Sequence, residues 1–136
     1  MYRHILVPVA FDTEHKPEDA LAVAARLAGP GARVTVLHVM EQAPPYALTY
    51  IPEDVTAALR DSLRAGMAEM AARFEDGQVV LTEGPVARTV LDWAQENGVD
   101  CIVIASRRPG IEERLFLGST ASWVVGRSHC AVHVVR

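Results

Sequence analysis

Apolar positions along the chain follow two alternating rhythms: short continuous runs, and stripes recurring every three or four residues. Ile5-Leu6-Val7-Pro8-Val9 is nearly uninterrupted and rich in branched residues, as expected of a strand buried on both faces of a sheet. Pro8 has no N–H to give to a ladder, so it marks the strand's end and the start of a loop. Beyond Asp12-Thr13-Glu14-His15-Lys16, Pro17 suits the first turn of a helix, and Glu18 and Asp19 complement its dipole. Leu21, Ala24, Ala25 and Ala28 form its stripe, and Gly29-Pro30-Gly31 stops it. Val34 to Val39 reads as the second strand, followed by a polar, Pro-rich loop from Glu41 to about Pro52. From Val55, the positions Leu59, Leu63, Met67, Met70 and Phe74 predict a strongly amphipathic helix, whose methionines read as core packing. Gln78 to Thr82 is a short third strand. Pro85 then opens a helix with Val86, Val90, Trp93 and Ala94 on one side, closed by Asn97-Gly98. Cys101 to Ala105 is the most apolar run and the best candidate for a central strand. A polar loop from Ser106 to Glu113 precedes Gly118-Ser119-Thr120, which starts a fourth helix carrying Ala121, Val124 and Val125. Ala131 to Val135 closes the chain as a strand.

Five strands thus alternate with four helices, with no internal repeat and no low-complexity linker. Such alternation implies a parallel sheet with right-handed crossovers and helices on both faces. The 136 residues are the size of one ordinary domain, expected to span 1–136. In sheets of this kind a ligand sits beyond the carboxyl ends of the strands, where the strand order reverses. Functional residues are therefore expected after the first, second and fourth strands, in Pro8 to Asp12, Val39 to Gln42 and Ala105 to Thr120.

Composition narrows the partners. Half the residues are apolar, enough to cover a sheet on both faces. The formal net charge of −4 repels nucleic acid and anionic lipid, so neither is expected as a partner. Met1-Tyr2-Arg3-His4 leads into an apolar run too short to span a bilayer and without a small-residue cleavage site, which predicts a cytoplasmic protein. Cys101 and Cys130 match no metal spacing, and Cys101, inside an apolar run, reads as an inert core thiol. The five histidines are scattered without ligand spacing, against a zinc site.

One loop concentrates chemistry. Ala105-Ser106-Arg107-Arg108-Pro109-Gly110 and then Leu117-Gly118-Ser119-Thr120 follow the most apolar strand and open a helix, combining backbone donors with a positive dipole end. Gly118 permits close approach to the backbone, Ser119 and Thr120 add hydroxyls, and Arg107 and Arg108 add charge in an otherwise acidic protein. A phosphate is the group that suits this set. The plainer alternative is that Gly118-Ser119 is a helix N-cap and the arginines are solvated.

On these residues, from Ile5-Leu6-Val7-Pro8-Val9 to the closing Val132-His133-Val134-Val135-Arg136, the chain resembles the universal stress protein family over its whole length. The resemblance implies a three-layer α/β/α sandwich around a five-stranded parallel sheet of order 3-2-1-4-5, Rossmann-like and akin to adenine nucleotide hydrolases. Nucleotide-binding members carry glycine, two residues, glycine, nine residues, then glycine followed by serine or threonine. Gly118-Ser119 supplies the last element, while Ala105 and Arg108 stand where the earlier glycines would be. Ala105-Ser106-Arg107-Arg108-Pro109 with Leu117-Gly118-Ser119-Thr120-Ala121 resembles the variant of the bacterial F and G branch, regarded as nucleotide-binding. Members also carry an aspartate two residues after the proline, near adenine and ribose. Here that residue is Ala10, and Asp12 follows two positions later as a substitute if the loop shifts. Val39 matches the family's apolar position beside adenine and serves equally as core. The resemblance therefore implies ATP, ADP or AMP, with Mg2+ as a companion ion, held by Pro8, Val9, Ala10, Asp12, Val39, Ala105, Ser106, Arg107, Arg108, Gly118, Ser119 and Thr120.

Catalysis is not expected beyond slow, incidental ATP hydrolysis. The sequence has no Walker-type lysine loop, no Gly-x-Ser-x-Gly elbow and no Cys/His signature. A stress sensor or regulator is the expectation, and a protein-interaction module that binds no nucleotide is its rival, favoured by the missing glycines and Ala10. A two-component receiver would need a phospho-accepting aspartate after the third strand, where Thr82-Glu83-Gly84 stands, and a lysine after the fifth. A flavodoxin-like carrier would need a phosphate loop after the first strand. The apolar last strand, Ala131 to Val135, would expose an edge that favours pairing with its own copy, and the resemblance likewise implies a homodimer through that strand. The identity of any protein partner is not written in the sequence.

Overall fold

The computed structural model describes residues 1–11, 17–41, 46, 51–106 and 118–136. Its elements are β1 (Tyr2–Pro8), α1 (Pro17–Leu27), β2 (Ala28–Met40), α2 (Glu53–Ala71), β3 (Asp76–Glu83), α3 (Val86–Glu96), β4 (Cys101–Ala105), α4 (Ser119–Arg127) and β5 (Ala131–Val135). The five strands form one parallel sheet of order β3-β2-β1-β4-β5. Strand alternation divides the core into two halves. Ile5, Val7, Val34, Val36, Cys101 and Val103 face α1 and α2, meeting Ala20, Leu21, Ala24, Met67 and Ala71. Leu6, Leu37, Val39, Ile102 and Ile104 face α3 and α4, meeting Val90, Ala94, Ala121 and Val124. Each fully buried Leu or Val of this set contributes about 1.5–3 kcal/mol, so the sandwich is held chiefly by its two apolar interfaces.

Strands β1 and β3 start earlier than the sequence reading, at Tyr2 and Asp76, and two further elements differ more. The second strand begins at Ala28 rather than Val34. Ala28 pairs with Tyr2 and Arg33 with His4, and the register shifts between those pairs, which accommodates Gly29-Pro30-Gly31 inside a strand. Gly31 takes a left-handed φ of 73°, and a Cβ on Gly29 would stand 2.7 Å from the Met1 nitrogen. The amphipathic helix α2 exists, but its first turns leave Val55 and Leu59 about half exposed, and Phe74 lies past its end. Only Met67 and Ala71 are buried, because the C-terminal half is the part that packs on the sheet. The turn from α2 into β3 is tight: a Cβ on Gly77 would fall 2.0 Å from the Ala71 carbonyl oxygen.

Away from the strand C-termini, a polar knot fixes the opposite end of the sheet. The Asp100 carboxylate accepts from the amides of Arg3 and His4 at 3.0 and 3.1 Å. The His4 ring donates from Nδ1 to the Asn97 carbonyl at 3.0 Å, which leaves Nε2 to accept from the buried Thr35 hydroxyl at 2.8 Å. Burial pushes the His4 pKa below its ordinary value, and Arg33 pushes the same way, against the Asn97 bond and the Asp100 and Asp76 carboxylates. A folded-state pKa held down means that the neutral ring stabilises the fold above the unfolded-state pKa, and that this stability is lost as pH falls through the folded-state value. Urea denaturation should therefore show stability declining between about pH 7 and pH 5, with a shallower decline in His4→Gln. An unchanged slope in the variant would show that His4 is not its source.

Candidate functional site

β1 and β4 lie side by side, but the chain leaves β1 toward α1 on one face and leaves β4 toward α4 on the other. A crevice opens between the two departing segments. A cavity of about 250 Å³ fills it, lined by Pro8, Val9, Ala10, Pro17, Ala20, Glu41, Val86, Ile104, Ala105 and Thr120. Toward β2 it meets a second cavity of about 320 Å³, bounded by Val9, Ala10, Phe11, His38, Val39 and Met40. Toward α3 it meets a third, more open one of about 450 Å³, with Arg88, Ser119, Thr120 and Trp123 on its walls. Glu41 and Val86 line all three.

The loop after β1 is held from two sides. The His38 ring donates from Nδ1 to the Val9 carbonyl at 2.7 Å, and the Val9 amide donates to the Leu37 carbonyl at 2.8 Å. Phe11 stands edge-on to His38 with ring centroids 4.9 Å apart, and α2 leaves it room at Gly66, where a Cβ would lie 3.4 Å from the Phe11 ring. This end of the crevice is apolar and rigidly placed, as a flat heteroaromatic base requires.

The other end is polar. Ser106, which directly follows β4, is 6% exposed and its Oγ accepts from the Gly118 amide at 2.8 Å. The Ser106 amide itself donates to the Val135 carbonyl, also at 2.8 Å. Ser106 thus clamps the start of α4 against the end of β4. Gly118 is the N-cap and Ser119 the first helical residue, so the Ser119 hydroxyl is not the cap. The first intrahelical bond runs from the Ser122 amide to the Gly118 carbonyl at 2.9 Å, leaving the amides of Ser119, Thr120 and Ala121 ahead of it. Those amides and two hydroxyls are hydrogen-bond donors of the kind that suits an anion, set beside an apolar pocket.

The structure brings together Pro8, Val9, Ala10, Val39, Ala105, Ser119 and Thr120 around the joined cavities, with Ser106 and Gly118 clamped behind them. Asp12, Arg107 and Arg108 lie outside the described residues. Sequence reasoning singled out neither Glu41, Arg88 nor Trp123. Glu41 falls within the stretch after the second strand that topology marked, whereas Arg88 and Trp123 reach the crevice only because α3 and α4 pack together. Arg127 lies over the Trp123 ring at 3.9 Å and covers one of its faces. Cys101 is buried, and burial first, then Cys130 and Asp100, push its thiol up to about 11, which keeps it protonated and inert. Among the described residues no three His, Cys, Asp or Glu side chains gather as a metal site, and no helix is long and apolar enough to cross a membrane.

A doubly wound sheet with this crevice belongs to the class of open α/β folds that take ligands beyond the carboxyl ends of their strands. The sequence model of the universal stress protein family matches residues 1–136, and the chain belongs to that family. It is 33% identical over 141 aligned positions to a universal stress protein of Thermus aquaticus, covering all of both chains. The structure of UspA from Lactobacillus plantarum superposes with a TM-score of 0.72 at 26% identity, covering 99% of this chain and 98% of that one. The universal stress protein of Archaeoglobus fulgidus in complex with dAMP shares the fold, with a TM-score of 0.67 at 21% identity and coverage of 99% and 98%.

Removing the Ser106 hydroxyl should free the start of α4. Ser106→Ala is expected to cost about 1–2 kcal/mol in urea denaturation, since the Gly118 amide then loses its partner. Stability within a few tenths of a kcal/mol of the parent would contradict the clamp.

Proposed function

We propose that the crevice binds an adenine nucleotide, ATP, ADP or AMP, and that the protein acts as a sensor or regulator in a stress response. The observation that carries this reading is the pairing of the apolar pocket at Val9 and Val39 with the amides and hydroxyls of Ser119 and Thr120, inside one set of joined cavities. The base lies between Val9 and Val39, and the phosphates lie at the start of α4. Arg107 and Arg108, in a sequence that resembles the F and G branch, are the cations proposed for the phosphates. Mg2+ fits as an ion carried mainly by phosphate oxygens and water, which needs few protein ligands. The dAMP complex of the Archaeoglobus protein shows such a ligand on the same fold, for that protein. Binding rather than turnover is the proposed activity, in the cytoplasm, in keeping with a sequence that carries no Walker-type lysine loop.

A second reading, an interaction module without nucleotide, draws on the exposed apolar side chains Ile51, Val55, Leu59 and Val125 and on Ala10, which offers no carboxylate. Thermal unfolding separates the two. A nucleotide present at about a hundred times its Kd adds about 2.7 kcal/mol, several degrees in Tm. ATP should raise Tm and GTP should not, with the ATP effect reduced in Ser119→Ala and Arg108→Glu. Equal shifts, or none, would favour the interaction module. We further propose a homodimer through β5, an edge strand whose outer side has no partner strand within the sheet. Sedimentation at micromolar concentration should give twice the chain mass, and a monomer would contradict it.

A further inference from the structure

We infer that Glu41 is the residue that recognises the ribose, taking over a role for which position 10 has only a methyl group. The inference rests on the adenine-nucleotide reading above and adds to it the group that selects the sugar. Glu41 follows the last residue of β2, and its side chain is exposed at the mouth of the crevice. It is the only carboxylate among the described residues lining the three cavities. Its placement matters more than its charge. The cavity toward β2 is the apolar end, the cavity toward α3 is the hydroxyl end, and Glu41 borders both as well as the one between them. A ligand with its base at Val39 and its phosphates at Ser119 and Thr120 therefore presents its middle portion, the sugar, to Glu41.

Among the described residues, three backbone acceptors near that position are already engaged. The Val9 carbonyl accepts from His38, the Leu37 carbonyl accepts from Val9, and the Met40 carbonyl accepts from the Gly84 amide at 3.0 Å. Ala10 lines two of the cavities and has no acceptor on its side chain. A carboxylate facing a vicinal diol accepts two hydrogen bonds, the arrangement by which an acidic residue reads ribose hydroxyls in dinucleotide-binding folds. The same carboxylate near the phosphates would be repelled by them, and Arg88 on the wall of the third cavity lies on that side to offset it.

Isothermal titration calorimetry with ATP and 2′,3′-dideoxy-ATP tests this, each with and without Mg2+. The parent protein should bind ATP roughly tenfold to a hundredfold more tightly than the dideoxy analogue, as expected of charge-assisted hydrogen bonds. Glu41→Gln should bring the two affinities near parity, mainly by weakening ATP, and Ala10→Asp introduced into Glu41→Gln should restore part of the preference. Glu41 is exposed, so the variant should melt like the parent without nucleotide, which separates lost recognition from lost folding. Parity already in the parent would overturn the role of Glu41 while leaving adenine-nucleotide binding intact. A loss in Glu41→Gln that is equal for both nucleotides and confined to Mg2+ would make Glu41 a metal partner and likewise overturn the inference. Failure of the parent to bind either nucleotide would overturn the adenine-nucleotide reading itself.

Discussion

Strand β1 lies between β2 and β4, and its Ile5, Leu6 and Val7 are wholly buried, packed by helices on both faces. No polar side chain stands between Ile5 and Val7, so that stretch is committed to packing, and the chemistry at this end of the strand begins only where burial ends, at Pro8. The same holds for β4, from Cys101 to Ile104. Because the chain leaves these adjacent strands toward opposite faces, their ends diverge and a crevice must open between them. Every residue assigned to the site hangs on that divergence.

What converts the crevice into a site is the pair of restraints on its rims. On one side the His38 bond to the Val9 carbonyl and the Phe11 contact hold the loop after β1. On the other, Ser106 joins the end of β4 to the start of α4 and is itself joined to β5 through the Val135 carbonyl. Both rims are thereby fixed to the sheet rather than to flexible side chains, and preorganisation of this kind lowers the entropy lost on binding. The glycines of the nucleotide-binding pattern are replaced at Ala105 and Arg108, yet Gly118 remains at the point where the backbone meets the clamp.

Much of this architecture was legible in the sequence because burial writes a period. Continuous branched runs gave β1, β4 and β5 their positions, and the stripe on α3 correctly marked Val90 and Ala94 as core. The early start of β2 was hidden, because Gly29-Pro30-Gly31 reads as a stop and only the register shift against Tyr2 and His4 lets it pass as strand. The exposed Val55 and Leu59 were hidden for another reason: helical spacing records which face is apolar, not how far the neighbouring sheet extends. At the site, Gly118-Ser119-Thr120 and the Pro8 loop could be read from topology. That Ser106 acts as a clamp, and that Glu41, Arg88 and Trp123 border the crevice, depends on three-dimensional neighbours that no local spacing encodes.

The chain is thus a universal stress protein whose crevice sets an apolar end, at Val9 and Val39, beside the Ser119 and Thr120 hydroxyls at the start of α4. In the proposed function both ends engage a single ligand. Backbone amide chemical shifts recorded by NMR during titration with ATP test this most directly. The account predicts that Val9, Ala10, Val39, Ser119 and Thr120 shift together along one saturable curve while Arg3, His4 and Asp100, at the far end of the sheet, stay still. Shifts confined to the start of α4, with Val9 and Val39 unmoved, would show a bare phosphate site and contradict it.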